Sequence, residues 1–176
     1  MYGKGKVTTH PQDAQAFASE ATKDPAVLAA RFNAALEQLK RDPHVDTTRI
    51  AAIGYCFGGG VVLGMARAGA DLAAVVTFHG ALATAAPAQP GKVKARVLVL
   101  AGGADPFVPP DQVEAFKREM QAAGAGFEVT TYPGAKHGFT NPDAATYGMP
   151  QLAYDAAADR ESWAAMLKLF REIWPS

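Results

Sequence analysis

Hydrophobic residues near the start of the chain recur at the spacing of helices. Asp24-Pro25 is typical of a helix start, with an aspartate N-cap followed by proline at the first helical position. The apolar positions that follow are Leu28, Phe32, Leu36 and Leu39. Their spacing predicts an amphipathic helix over residues 25–41 with one core-facing side. An alanine-rich stretch predicts a short helix over residues 13–22.

From residue 49 onward, short apolar runs alternate with stretches of helical spacing. The predicted strands are residues 49–55, 72–78, 96–100 and 127–132. A first helix is predicted over residues 57–68, and a second, which carries Val113, Phe116 and Met120, ends at Gly124. A third is predicted over residues 159–174. Its core face holds Trp163, Met166, Leu167, Phe170 and Trp174. Strands that alternate with helices and are apolar on both faces predict a three-layer α/β fold with a mostly parallel sheet.

Composition narrows what such a fold could do. The 176 residues, 49% of them hydrophobic, predict a single domain over residues 1–176 with a substantial core. The chain has 17 basic residues (Lys and Arg) and 17 acidic residues (Asp and Glu), and neither kind forms a long block. This balance favours a small molecule or another protein as the partner over nucleic acid or a membrane. The chain has a single cysteine, and its sequence shows neither a leader pattern nor an apolar run of membrane length. These features predict a cytoplasmic location.

The one cysteine lies in a glycine-rich turn between a predicted strand and a predicted helix. In "IGYCFGGG", Gly54 and Gly58 flank Cys56 at two residues on either side. This setting is typical of a nucleophile elbow, in which glycines allow the tight bend that lifts the nucleophile above the sheet. The N–H groups of the following helix would favour the thiolate. The alternatives are a buried cysteine without chemistry and a thiol redox sensor, although no second cysteine is present to resolve an oxidised one.

An acid and a histidine follow the cysteine in the order that a catalytic triad needs. Asp105 comes after a predicted strand in "LAGGADPFVPP", and His137 after the next one in "YPGAKHGF". Open α/β sheets hold their sites in such loops, and the order nucleophile, acid, histidine is that of α/β-hydrolases. Asp111 is an alternative acid. His79 precedes the acid, so we interpret it as a structural histidine with satisfied hydrogen bonds.

Two other kinds of site do not fit the spacing. Gly58, Gly59 and Gly60 are not followed by the Lys-Ser/Thr pair of a phosphate-binding loop, nor do they form a dinucleotide fingerprint. His10 and His44 lie in polar segments without partners at metal-ligand spacing. No cofactor or metal is therefore predicted.

Four motifs, "GYCFGG", "AGGADPFVP", "YPGAKHGF" and "TFHG", together resemble the dienelactone hydrolase family of α/β-hydrolases. The resemblance covers essentially the whole chain and implies a catalytic triad of Cys56, Asp105 and His137. It also implies hydrolysis of a carboxylic ester or lactone of a small molecule through an acyl-thiol intermediate, with neither metal nor organic cofactor. The backbone N–H of Phe57, the residue after the nucleophile, would supply one oxyanion donor.

The beginning of the chain departs from the family pattern. The fold normally sets four strands before the nucleophile strand, whereas the segment before Cys56 is mainly helical. "MYGKG" is similar to a stretch after the fourth strand in relatives, so the resemblance implies an α/β-hydrolase domain that is incomplete on its amino-terminal side. Strand 49–55 would then lack a neighbour, which predicts a homodimer or larger homo-oligomer that covers this edge. The alternative function is a catalytically impaired domain that serves as an oligomeric or interaction module.

The segment after His137 departs from the family pattern as well. Members that act on dienelactone carry an arginine shortly after the triad histidine, where it holds the substrate carboxylate. Residues 138–141, Gly-Phe-Thr-Asn, contain none. The predicted substrate is therefore an uncharged ester or lactone.

Overall fold

The computed structural model describes residues 1–175 of the chain. Its helices and strands fall into two compact units, Met1–Thr48 and the part of the chain from Arg49 onward. Two helices form the first unit, α1 (Pro11–Thr22) and α2 (Pro25–Lys40). The start of α2 is the predicted one, because the Asp24 carboxylate accepts hydrogen bonds from the backbone N–H groups of Ala26 at 2.9 Å and Val27 at 3.3 Å.

The predicted core face of α2 is wrong. No residue of this helix is buried, and Leu39 is 44% exposed. Leu28, Phe32 and Leu36 are half-buried. Within this unit the helix partner of α2 is α1, whose single buried residue is Ala21. One short, alanine-rich helix offers too little apolar surface to bury four large side chains.

The second unit is built on a parallel sheet of four strands. In order along the chain and across the sheet they are β1 (Ala51–Tyr55), β2 (Ala74–Phe78), β3 (Arg96–Gly102) and β4 (Phe127–Tyr132). The four predicted strands are confirmed, with ends shifted by a few residues. Tyr55 lies opposite Phe78, and Gly102 opposite Tyr132. This register places the loops that follow the strands along one edge of the sheet.

Three α-helices flank the sheet. They are α3 (Phe57–Arg67), α4 (Pro110–Ala122) and α5 (Ala156–Ile173), with a short 3₁₀ helix at Ala144–Tyr147. Every residue of β2 is buried, and Val113, Phe116 and Met120 form the buried face of α4 as predicted. Among residues 1–175, no helix is long and apolar enough to cross a lipid bilayer.

The core face of α5 differs from the predicted one. Met166 is buried as expected, but Leu167 is exposed and Trp163 is 47% exposed. The residues of α5 that are buried are Ala158, Ser162, Met166 and Leu169. Consecutive residues of a helix point about 100° apart, so a face assigned from its largest side chains can be displaced by one position. This displacement leaves Trp163 available at the surface.

Candidate active site

Cys56 lies on the sharp turn between β1 and α3. Its backbone adopts φ 50° and ψ −119°, a strained conformation for a residue with a side chain. A Cβ added at Gly54 would collide with the carbonyl oxygen of Gly58, so the turn requires glycine there. The prediction that Gly58 is needed for the same reason is wrong, because a Cβ at Gly58 would meet nothing within 4 Å. Gly59 is the second crowded position, packed against Thr77 and Gly80.

The turn presents the sulfur of Cys56 to solvent and to the imidazole of His137. Cys56 is exposed, and its backbone N–H donates to the carbonyl of Phe78 at 3.0 Å, which fixes the turn to β2. His137 Nε2 lies 3.1 Å from Cys56 Sγ. The exposure of Cys56 does not fit the alternative of a buried cysteine.

His137 sits in the loop after β4, and its second nitrogen faces Asp105. Nδ1 lies 2.8 Å from Asp105 Oδ2. The loop is held by a parallel bridge between His137 and Leu152, which precedes α5. Phe107 packs edge-on against the imidazole, with ring centroids 5.1 Å apart. These contacts fix the orientation of the ring.

Asp105, not Asp111, is the carboxylate that reaches the histidine. Asp105 follows β3 and is buried, and its other oxygen accepts a hydrogen bond from the N–H of Phe107 at 2.8 Å. Asp111 is exposed in the first turn of α4. The structure therefore brings the three predicted residues Cys56, His137 and Asp105 into one hydrogen-bonded chain.

Electrostatics favour a charged Cys56–His137 pair. Burial raises the pKa of the Cys56 thiol, but the hydrogen bond and charge of His137, together with the N–H of Phe57, outweigh it and leave the pKa below its ordinary value. Burial lowers the pKa of His137, whereas hydrogen bonds to Asp105 and Cys56 raise it, with a net pKa of about 9. The shifts of both groups favour a thiolate beside an imidazolium, and the thiolate is the nucleophilic form of cysteine.

His79 lies beside His137, and only one of its ring nitrogens has a hydrogen-bond partner, which corrects the interpretation of His79 as a histidine with satisfied hydrogen bonds. It is 4% exposed, and its ring centroid is 5.0 Å from that of His137. Nε2 pairs with Thr140 Oγ1 at 2.9 Å, whereas Nδ1 has no hydrogen-bond partner among residues 1–175. Burial and the neighbouring His137 lower the pKa of His79 to about 4. His79 is therefore neutral and adds no second positive charge beside His137.

A cleft of about 600 Å³ opens at the Cys56 sulfur. Its walls come from the end of β1, the loop after His137, the 3₁₀ helix and the first turns of α5. The lining includes Tyr55, Tyr147, Asp159 and Trp163. Within the described part of the chain, no lysine or arginine lines this cleft.

The dienelactone hydrolase family model matches residues 1–174 of the chain. The chain belongs to the dienelactone hydrolase family. This membership confirms the resemblance carried by the four motifs, and the parallel sheet confirms the predicted α/β-hydrolase fold class.

Several known proteins resemble the chain over different shares of their length. A dienelactone hydrolase-like promiscuous phosphotriesterase from metagenomic libraries is 38% identical, with a TM-score of 0.89 over 97% of this chain and 71% of that one. An uncharacterized Caenorhabditis elegans protein is 36% identical over 150 residues, 84% of this chain and 94% of that one. An Escherichia coli K12 protein, provisionally named a carboxymethylenebutenolidase, is 31% identical over 135 residues, 72% of this chain and 47% of that one. The chain thus spans about half the length of the Escherichia coli relative.

Sequence patterns missed part of the cleft in this dienelactone hydrolase family member. Helical spacing assigns Trp163 to the core, and no sequence pattern distinguishes Asp159, Tyr55 or Tyr147. These side chains come from the end of β1, the 3₁₀ helix and α5, and only the folded chain brings them together around the cleft. In the described residues no three His, Cys, Asp or Glu side chains are arranged to hold a metal ion.

Proposed function

We propose that this chain hydrolyses carboxylic ester or lactone bonds of small molecules, with Cys56 as the nucleophile, His137 as the base and Asp105 as its orienting acid. The observation that carries the proposal is the hydrogen-bonded chain from Cys56 Sγ through His137 to Asp105, at 3.1 Å and 2.8 Å, at the mouth of a cleft. Family membership supports the reaction class.

The reaction would proceed through a thioester on Cys56. The thiolate attacks the carbonyl carbon, and the N–H of Phe57, which already faces the sulfur, stabilises the oxyanion that forms. His137 gives its proton to the departing alkoxide, which leaves an acyl group on sulfur. His137 then takes a proton from water, and the resulting hydroxide attacks the thioester, which releases the acid and restores the Cys56 thiolate beside protonated His137. Asp105 holds the imidazole in the required tautomer throughout.

An uncharged substrate fits this cleft better than a carboxylate. In the described part of the chain its walls contain no lysine or arginine to hold a negative group. Thr140 and Asn141 occupy the positions after His137 and line the cleft with neutral polar side chains. We therefore propose an uncharged ester or lactone over a dienelactone carboxylate.

Turnover of p-nitrophenyl acetate by the purified chain and by Cys56→Ala tests the proposal. Because the sulfur forms the covalent intermediate, its removal should lower turnover at least about a thousandfold. A matched thermal unfolding midpoint for the variant would show that the loss is chemical. Equal turnover by both proteins would contradict the role of Cys56.

A phosphotriester is a second substrate class that the same sulfur could attack. The support is the likeness to the metagenomic phosphotriesterase, at 38% identity, and a cleft whose described lining has no lysine or arginine to hold a negatively charged substrate instead. Release of p-nitrophenol from diethyl p-nitrophenyl phosphate, lost in Cys56→Ala, is the expected result. Release that persists in the variant would argue against thiolate attack.

We also propose that copies of the chain associate through the edge of β1. If the chain has no catalytic activity, this association is the second candidate function. Among residues 1–175, β1 has a strand neighbour on one side only. Its sequence, AAIGY, carries no charge, and Ile53 is 43% exposed. Such an edge favours pairing with another copy of the chain, as a homodimer or larger homo-oligomer.

A cytoplasmic location also belongs to this proposal. The support is Cys56, the single cysteine of the sequence, which is a free thiol at the surface. A reducing compartment keeps such a thiol in its reactive form.

A further inference from the structure

We propose that the cleft selects esters bearing a positively charged ammonium group, which the carboxylate of Asp159 and the rings of Tyr55, Tyr147 and Trp163 hold. This inference rests on the proposed function, since it names the substrate class of the same site. It also changes the preferred substrate from an uncharged ester to a cationic one, because the lack of lysine and arginine in the described lining argues only against a carboxylate, whereas Asp159 offers a recognition element for a cation.

Asp159 is a carboxylate on the cleft wall without a cation to neutralise it. It lies in the first turn of α5 and is half-buried. Oδ2 accepts a hydrogen bond from the hydroxyl of Tyr154 at 3.1 Å, which fixes the side chain. No lysine, arginine or histidine nitrogen lies within 4.0 Å of this carboxylate among the residues described. A charge held in this way is free to bind a cationic ligand.

Three aromatic residues share the wall with Asp159. Tyr55 is 39% exposed, and Tyr147 and Trp163 are exposed to a similar degree. Tyr55 stacks on Phe78 with centroids 4.5 Å apart, which fixes the plane of its ring. Aromatic faces attract ammonium groups through their quadrupoles. Burial raises the pKa of Tyr55, and the charge of Asp159 raises it further, so the carboxylate acts within the same cleft.

The charges around the sulfur add to this preference. Asp105 and Asp159 place two carboxylates against the single imidazolium of His137, and the lowered pKa of the Cys56 thiol favours a further negative group. His79 is neutral beside them. The cleft therefore carries more negative than positive charge, which attracts a cation and repels a carboxylate.

A matched pair of esters tests the inference. Acetylcholine and 3,3-dimethylbutyl acetate have nearly the same shape, but only the first carries a quaternary nitrogen. The expected ratio of kcat/KM, cationic over neutral, is about ten for the natural chain, from cation–π and Coulomb contributions in a partly solvated site. In Asp159→Asn, which can still accept the Tyr154 hydrogen bond, the ratio should fall toward one. Glu161→Gln removes an equal charge from an exposed position on α5 and should leave the ratio unchanged.

A binding measurement separates this inference from the proposed function. Choline and its neutral counterpart 3,3-dimethylbutan-1-ol are titrated into the Cys56→Ala protein by calorimetry, with and without Asp159→Asn. Tighter binding of choline, lost with Asp159, supports the cation site even if no ester is turned over. Equal binding of the two alcohols, or a preference that survives Asp159→Asn, overturns it. Absence of turnover of both esters would instead contradict the proposed hydrolase.

Discussion

The contact between Cys56 and His137 determines the chemistry that we expect of single residues. The two atoms lie 3.1 Å apart, and each group stabilises the charged form of the other. The strained φ of 50° at Cys56 and the crowding at Gly54 show that the backbone is bent to hold this position. The pair therefore determines the pH range in which the site can act.

The pH dependence of kcat/KM follows from these shifts. Below the lowered thiol pKa, Cys56 is protonated and does not attack. Above a pH of about 9, His137 loses the proton that the leaving alkoxide needs. A bell-shaped profile with an alkaline limb near pH 9 is expected from rates measured on p-nitrophenyl acetate between pH 5 and 10.

Asp105→Asn should move the alkaline limb of that profile to lower pH, because the Asp105 carboxylate raises the pKa of His137. The rate itself should fall about a hundredfold or more, because the amide no longer stabilises the imidazolium. Asp111→Asn is the matched control, since Asp111 is exposed on α4 and does not reach the histidine. An unchanged profile in Asp105→Asn would refute the role assigned to this carboxylate.

The residue types and their order along the chain predicted which side chains lie together, but not the hydrogen bonds that each one makes. Cys56, Asp105 and His137 could be chosen because their loops follow parallel strands, which end at one edge of a sheet. The unpaired Nδ1 of His79 could not be foreseen, since it depends on which side chains lie within 3.5 Å in three dimensions. The cleft residue Asp159 was missed for the same reason.

Strand β1, the turn and helix α3 together hold Cys56, the proposed nucleophile. The turn needs glycine at position 54 for lack of space, whereas position 58 has room for a side chain. The two flanking glycines of the same motif therefore have different roles.

Gly54→Ala and Gly58→Ala separate these roles. The first forces the turn to open and should lower kcat/KM about a hundredfold or more through displacement of the sulfur. The second replaces a glycine in the first turn of α3 and should keep the activity while stabilising the fold by up to about 1 kcal/mol. Esterase rates and thermal unfolding midpoints check both. Comparable losses in the two variants would show that the crowding at Gly54 is not what shapes the elbow.

Elements were predictable where a run of sequence is buried on all sides. Every residue of β2 is buried, so its apolar run indicated a strand directly. For α2 and α5, helical spacing gave the element but not its buried face. Leu39 and Trp163 are exposed because burial depends on which neighbours are present, and periodicity alone does not contain that information.

At the scale of the whole molecule, the sheet ends in two edges of different character. β4 carries Glu128, Thr130 and Thr131, whereas β1 carries only uncharged residues, mainly small and apolar. A charge on an edge strand discourages pairing with another chain. Self-association is therefore expected at β1 rather than at β4.

Ile53→Lys should weaken this association at least about tenfold, because a charge placed on an exposed edge opposes strand pairing. Thr131→Lys places the same charge on β4 and is expected to leave assembly unchanged. Light scattering across micromolar concentrations gives the molar mass of each variant. A natural chain that is strictly monomeric, or equal effects of the two substitutions, would contradict assembly through β1.

Identification of the acylated atom tests the central claim, that Cys56 is the nucleophile of an ester hydrolase, most directly. The chain is mixed with p-nitrophenyl acetate, quenched in acid within milliseconds to seconds, digested and analysed by mass spectrometry. A single acetyl group on the peptide containing Cys56, formed and lost at rates that match turnover, is the predicted result. Turnover without acetylation of Cys56, or acetylation confined to lysines, would contradict it.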